Sequence, residues 1–237
     1  MGAGMNVGLY RSAVAMQTQA QRMDSIAVNL ANTGVSGFKR FEQATESFEI
    51  QSKHGPLRGQ RASTQVDYAQ GNMKRTGRDL DLGLSGQGFF AIETPGGEHY
   101  TRDGEFHLSP EGNLVTPKGD PVAWDVRNGL IDPVGVSLTV EGDGNVRQGQ
   151  TPIGRLRIVD FEDRQALRPD GKGLWIAPDN AKEATATAVV NQGALEESNA
   201  TAVTEMVNMI ATQRQFDLLS RTVSAIQELE ERLTRSR

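Results

Sequence analysis

The sequence predicts an α+β protein in which N- and C-terminal helices pair as a coiled coil and a glycine-turned antiparallel β domain lies between them. Glycine and proline are absent from residues 9–33 and again from 194–237, so each end has room for a long helix. All nine prolines and most of the 26 glycines fall within 41–193. Because these two residues mark turns and interrupt helices, the middle of the chain is expected to consist of strands and turns.

Four segments are predicted from this distribution. They are an N-terminal coiled-coil helix at 1–34, an extended connector at 35–75, a mainly β domain at 76–192 and a C-terminal coiled-coil helix at 193–237. The connector is polar and contains a Gly55-Pro56 break, and a loose hairpin is an alternative for it.

The first helix carries apolar or small residues at steps of four and three, which is the heptad spacing of a coiled-coil seam. These residues are Leu9, Ala13, Met16, Ala20, Met23, Ala27 and Leu30. The alanines form one row, where small side chains allow a partner backbone to approach closely. Asn6 is the expected N-cap, and Gly34 is expected to end the helix.

The last helix has a similar seam, for which Ser198 or Asn199 is the expected cap. The seam residues are Met209, Phe216, Leu219, Val223, Ile226 and Leu233. Upstream apolar residues at 203, 206, 207 and 210 shift the apolar stripe around the helix. The first helix is too short to cover the whole stripe, so the remainder must meet other chains or stay exposed to water. Periodicity alone also fits an ordinary intramolecular helical hairpin on a β domain.

In the middle of the chain, alternating residues predict strands around Leu80–Leu84 and along 154–161. Asp103-Gly104 between two alternating runs predicts a two-residue β-hairpin. If that hairpin forms, His99 and His107 point to opposite faces of the sheet and cannot share a metal ion.

Composition argues against several classes of function. The net charge of −5 provides no basic footprint for nucleic acid, and no apolar run is long enough to span a bilayer. The absence of cysteine excludes thiolate chemistry. The glycine-rich run 83–88 lacks the lysine of a phosphate-binding loop and leads into a strand. The acidic pair Asp79/Asp81 fits a solvated strand face, and Glu196/Glu197 lie just before a helix, where acids favour the helix dipole. No catalytic, cofactor or metal residue is therefore assigned, and no small-molecule substrate is expected.

Residues 29–40 read NLANTGVSGFKR, which closely resembles the N-terminal signature of the flagellar rod and hook family. Matching segments follow in the family's order at 79–90, 100–106, 112–115 and 193–216, so that the resemblance spans almost the whole chain. The resemblance identifies an assembly motif consisting of Asn29, Leu30, Ala31, Asn32, Gly34, Gly37, Phe38, Lys39 and Arg40. In this motif the glycines would turn the chain off the helix, and Lys39 and Arg40 would sit near acids of a neighbouring chain.

The resemblance implies a structural rod subunit of the flagellar basal body. Its terminal helices would polymerise with copies of itself and with other rod proteins into a periplasm-crossing shaft that transmits torque from motor to hook. It would travel unfolded through the flagellar type III export apparatus, without a cleaved signal peptide. The segments 8–13 and 76–81 resemble the proximal rod subunit more than the distal one, which is the alternative. A periplasmic β-domain binding module on a helical stalk is the alternative from another class.

Overall fold

The computed structural model describes residues 2–52, 55–171 and 173–235; the side chains of 2–11, 45–62, 230, 233 and 234 lie outside this description. The chain forms two compact units. Unit 1 consists of the described parts of 1–31, 41–67 and 200–237, and unit 2 consists of 32–40 and 68–199. None of the helices in the described ranges is long and apolar enough to cross a membrane.

Two long helices, α1 (Gly2–Ala31) and α2 (Ala202–Arg235), contact each other in unit 1. Both helices were predicted, but their starting residues were not. Asn6 lies inside α1 and cannot be its cap. The helix α2 begins at Ala202, after the residues that were expected to cap it.

The protected face of α1 differs in part from the predicted seam. Ile26, which was not assigned to the seam, is buried, whereas Ala13 and Ala27 are exposed. The other described seam residues of this helix, Met16, Ala20, Met23 and Leu30, are half-buried. The face is therefore rotated toward Ile26, because its larger side chain removes more apolar surface from water than an alanine would. The Leu9 side chain lies outside the described part.

The helix α2 has apolar side chains on two opposite faces. The predicted seam residues Met209, Phe216, Leu219, Val223 and Ile226 are all half-buried, and the Leu233 side chain is outside the description. At 3.6 residues per turn, the opposite face carries a second apolar stripe. Its members are exposed: Val203 (75%), Met206 (52%), Val207 (60%), Ile210 (52%), Leu218 (63%) and Leu229 (56%).

The described strands are named in chain order. They are β1 (Phe41–Ser52), β2 (Gly55–Val66), β3 (Met73–Arg75), β4 (Leu82–Ser85), β5 (Phe89–Thr94), β6 (Gly97–Thr101), β7 (His107–Leu108), β8 (Leu114–Val115), β9 (Trp124–Arg127), β10 (Leu138–Val140), β11 (Asn145–Gln148), β12 (Thr151–Leu156), β13 (Ile158–Phe161), β14 (Arg168–Pro169), β15 (Trp175–Ile176), β16 (Glu183–Thr185), β17 (Val189–Gln192) and β18 (Ala194–Glu196).

In unit 1, β1 and β2 form an antiparallel hairpin. It is paired from Phe41↔Val66 to Ser52↔Gly55 and lies within the segment that was predicted to be a connector. The hairpin has no third strand among the described residues.

In unit 2, a six-stranded sheet has the order β14-β15-β6-β5-β13-β16, and a four-stranded sheet has the order β10-β11-β12-β9. Two-stranded pairs β17-β4, β18-β3 and β7-β8 complete it. Apolar side chains from these elements form one core, in which the Phe90 and Phe106 rings pack edge to face at 5.1 Å. The predicted antiparallel character is confirmed, since every described pairing is antiparallel.

The predicted hairpin at Asp103-Gly104 is wrong. The strand before it, β6, pairs with β5 and β15, and the strand after it, β7, pairs with β8. The run 154–161 is likewise divided at Arg157 between β12 and β13, which belong to different sheets.

Candidate functional site

The assembly motif continues beyond α1 as a turn that belongs to unit 2. Val35 N–H donates to Asn32 O (3.1 Å), and Phe38 N–H donates to Val35 O (3.3 Å). Gly37 has a φ of +68°, a conformation that side-chain-bearing residues rarely adopt. Its N–H donates to the backbone oxygen of Glu196 (2.7 Å), so the turn is fixed against the segment that precedes α2. Gly34 has a negative φ, so only one of the two motif glycines turns the chain in this way.

The side chain of Glu196 on β18 is the centre of the site, and it is fully buried. Its Oε1 accepts hydrogen bonds from Lys39 Nζ (2.6 Å) and from Gly71 N (2.9 Å). Its Oε2 accepts one from Arg102 Nε (2.8 Å). We call Lys39, Arg102 and Glu196 the Glu196 network. It joins the N-terminal motif, the β6 region and the C-terminal motif, which the sequence presents as separate segments.

The two cations of the Glu196 network also bind backbone oxygens. Lys39 Nζ donates to Ala69 O (2.8 Å), and Arg102 Nη1 donates to Gly88 O (2.7 Å). Lys39 and Arg102 are 2% and 4% exposed, respectively. Breaking such a buried pair from one side leaves an uncompensated charge, which costs more than the intact pair contributes.

Two asparagines supply the backbone hydrogen bonds of the chain as it leaves the turn. In unit 1, Asn29 Oδ1 accepts from Phe41 N (2.8 Å) while Asn29 Nδ2 donates to Phe41 O (2.9 Å). In unit 2, Asn199 Oδ1 accepts from Arg40 N (2.7 Å), and Asn199 Nδ2 donates to Ala69 O (3.1 Å). The Asn29 amide thus takes the place of a neighbouring strand at Phe41, whereas the Asn199 amide joins Arg40 to Ala69.

The predicted motif residues fall into different environments. Asn29, Gly37 and Lys39 are buried; Leu30, Asn32, Phe38 and Arg40 are half-buried; and Ala31 and Gly34 are exposed. The expectation that Lys39 sits near an acid of a neighbouring chain is corrected, because its buried ammonium binds Glu196 of the same chain.

Sequence reasoning did not find the roles of Glu196 and Arg102. Glu196 and Glu197 were interpreted together as acids that favour the dipole of the following helix. The Glu197 carboxylate is exposed and lies 3.9 Å from Lys74 Nζ, whereas Glu196, at the end of β18, is buried. Successive side chains of a strand point to opposite faces, and this period of two is the sequence signal that distinguishes Glu196 from Glu197.

The chemistry of the Glu196 network is that of a structural junction, because its carboxylate accepts three hydrogen bonds and is closed to solvent. His99 bonds within β5 and β6, and His107 lies 3.4 Å from Arg78. His54 lies outside the described residues. Within those residues, no group of three or more His, Asp or Glu side chains is arranged to hold a metal ion.

Asp103, next to the Gly37 turn, is a titratable group with a shifted pKa. Burial raises the pKa of this carboxyl from its ordinary 3.8 to about 6; the Glu105 N–H opposes the shift, and the Glu105 and Asp81 carboxylates add to it. The folded state therefore binds the proton more tightly than the unfolded chain. The resulting stabilisation is complete below pH ~4 and is lost as the pH rises through about 6.

Replacing Asp103 with Asn is expected to raise the free energy of unfolding at pH 7.5 by about 2 kcal/mol. The amide oxygen can still accept from Glu105 N–H (3.1 Å), and no charge remains to be desolvated. Urea unfolding between pH 4 and 8 measures the effect, with the exposed Asp179→Asn as control. A D103N profile that runs parallel to wild type would contradict the assignment.

Two segments of the chain match known protein families. Residues 83–148 match the family described as the flagellar hook protein FlgE/F/G D1 domain, and 191–236 match the flagellar basal body rod FlgEFG protein C-terminal family. These matches include β4 without its first residue, β5 to β11, and the whole of α2. They also include Arg102 and Glu196.

Whole-chain similarities cover both ends as well. The flagellar basal-body rod protein FlgF of Caulobacter vibrioides is 34% identical, over 95% of each chain. FlgF of Rhizobium meliloti is 32% identical over 90% of each chain, and FlgG of Buchnera aphidicola subsp. Schizaphis graminum is 31% identical over 95% of this chain and 98% of its own. The chain therefore belongs to the flagellar basal-body rod protein family and is a structural subunit of that rod.

Proposed function

We propose that this subunit polymerises through α1 and α2, paired as a coiled coil, into the proximal part of the rod and transmits torque from the motor to the hook. The observation that carries the proposal is the second apolar stripe of α2, from Val203 to Leu229. An isolated chain that exposes six large apolar side chains along one helix face gains by burying them against another subunit.

The Glu196 network supports the same assignment, because a shaft that carries torque requires rigid subunits. Turning the chain at Gly37 and tying it to Glu196 and Asn199 fixes residues 32–40 within unit 2 at several points. The motif would thus serve assembly indirectly, by holding residues 32–40 in one path within unit 2.

The proximal position is supported by the segments 8–13 and 76–81, which resemble the proximal rod subunit. The distal rod is the alternative, since relatives named FlgF and FlgG match at similar identity. Other rod proteins and copies of this chain are the proposed partners. Passage through the flagellar export apparatus to a rod that crosses the periplasm is proposed on the same resemblance.

Substituting Val207→Glu together with Ile210→Glu tests polymerisation. Because both side chains are exposed, the melting temperature of the isolated chain is expected to remain within about 2 °C of wild type. Incorporation into basal bodies, measured by immunoblotting of purified basal bodies from a strain lacking the native gene, is expected to fall at least tenfold. The matched control, Gln213→Glu with Gln215→Glu, adds the same charge at exposed positions beside the stripe and should incorporate normally. Normal incorporation of the stripe variant would refute the proposal.

A further inference from the structure

A cavity of about 320 Å³ in unit 2 has not been assigned a role. Its lining includes the buried side chains of Lys39, Phe89 and Arg102, together with the half-buried Arg164. Gln70 and Gln87, which also line it, are exposed. The cavity therefore has a cationic interior and a polar opening, and its volume is at the small end of the range for ligand sites.

The charged residues that line this cavity are all positive. Three of its lining residues are cations, and none of the described lining residues is an acid. Behind the lining, Glu196 binds both Lys39 and Arg102, and Asp160 binds Arg164 at 2.7 Å. A lining of one sign attracts ions of the opposite charge, so this cavity favours an anion.

Arg102 has donor capacity for such an anion. A guanidinium carries five N–H groups. Those of Arg102 bind Glu196, Gly88 O and, at 3.5 Å, Leu84 O, which leaves two without an acceptor among the described residues. The planar fork of arginine suits the two oxygens of a carboxylate.

Tyr68 forms a neutral part of the wall. Its hydroxyl donates to Arg164 O (2.8 Å), and its ring packs against Phe89 and Trp175. Burial raises the pKa of Tyr68 far above its usual range, so that the phenol keeps its proton and contributes no negative charge.

We propose that this cavity binds a small oxyanion, most favourably a carboxylate, held by Arg102 and Arg164 with Lys39 supplying further positive charge. A free organic acid and an acidic side chain of another chain present the same chemistry. The proposal does not rest on polymerisation, because it concerns unit 2 of a single chain.

The first test uses the full-length isolated chain. Sodium acetate and sodium succinate are compared with sodium chloride at equal ionic strength by thermal unfolding and by isothermal titration calorimetry. At ten times the dissociation constant, the carboxylates are expected to raise the melting temperature by about 3 °C more than chloride does. Equal shifts with all three salts, without saturable heat, would overturn the proposal.

Two variants and one control test whether the carboxylate binds in this cavity. Arg164→Gln is expected to weaken carboxylate binding at least fivefold, whereas Arg157→Gln should leave it unchanged, since the similarly exposed Arg157 binds Glu98 and Glu183 outside the cavity. Gln87→Glu keeps the acceptor for Arg164 and places a carboxylate at the opening. It should raise the melting temperature without added anion and abolish the response. An undiminished response in both R164Q and Q87E would overturn the proposal.

Incorporation into basal bodies distinguishes the two possible sources of the anion. If a free acid occupies the cavity, Q87E chains should incorporate as wild type does. If an acidic side chain of a neighbouring subunit occupies it, Q87E should incorporate poorly despite its higher melting temperature. Either outcome keeps the site and names its occupant.

Discussion

Replacing Glu196 with Gln is expected to lower the free energy of unfolding by about 3–5 kcal/mol. The substitution keeps the volume of the side chain but removes the negative charge shared by Lys39 and Arg102, both almost fully buried. The two cations would then lose the carboxylate that they share, and the loss of a charged acceptor would also weaken the bond from Gly71 N–H.

Glu197→Gln is the matched control, since it makes the same chemical change one residue later in the chain. Its carboxylate is 47% exposed and lies 3.9 Å from an exposed lysine, so the expected change is below about 0.5 kcal/mol. Urea unfolding at pH 7.5 measures both variants. An E196Q protein as stable as E197Q would contradict the buried-charge account.

If E196Q does not fold, a double variant still tests the account. Adding Lys39→Met removes one of the two uncompensated cations, so the pair E196Q and K39M should be more stable than E196Q alone. A double variant that is less stable by the full cost of K39M would show that the two side chains act independently.

The helices could be predicted because their signals are local. A long absence of glycine and proline, together with apolar residues at heptad steps, identifies α1 and α2 whatever the rest of the chain does. The orientation of α1 could not be predicted, because Ile26 and the row of alanines both fit helical spacing. Contact with the rest of unit 1 selects the larger side chain for burial.

The strand pairing, in contrast to the helices, could not be predicted from local signals. Asp103-Gly104 is a strong turn signal, but Gly104 is required for another reason. A Cβ at this position would overlap the backbone oxygen of Leu82, whose N–H donates to Gly104 O at 3.0 Å. Glycine at a close backbone approach and glycine at a hairpin turn look identical in a sequence.

The Glu196 network could not be found from the chain alone for a related reason. Lys39 and Glu196 are separated by 157 positions, and nothing in either local pattern indicates the other. Family resemblance marked Lys39 as a motif residue but gave it a surface role. In the structure Lys39 is 2% exposed, so its ammonium serves in the interior and not on the surface.

Replacing Gly37 with Ala is expected to lower the free energy of unfolding by about 3 kcal/mol. At a φ of +68° any side chain is strained, and here an added Cβ would also overlap the Arg102 carbonyl group and the Asp103 nitrogen. Backbone atoms cannot move aside as the end of a flexible side chain can. The turn would have to shift, which would disturb both the Gly37–Glu196 backbone bond and Lys39 two residues later.

Gly34→Ala is the control within the same turn. Gly34 has a negative φ, and a Cβ there would meet nothing within 4 Å, so the expected change is within about 0.5 kcal/mol. Chemical denaturation of the two variants separates a requirement for glycine from a mere preference. Equal stabilities would mean that the chain relaxes around Gly37 without cost. A large loss confined to G37A would show that close backbone packing, rather than flexibility after α1, explains the glycine at this position.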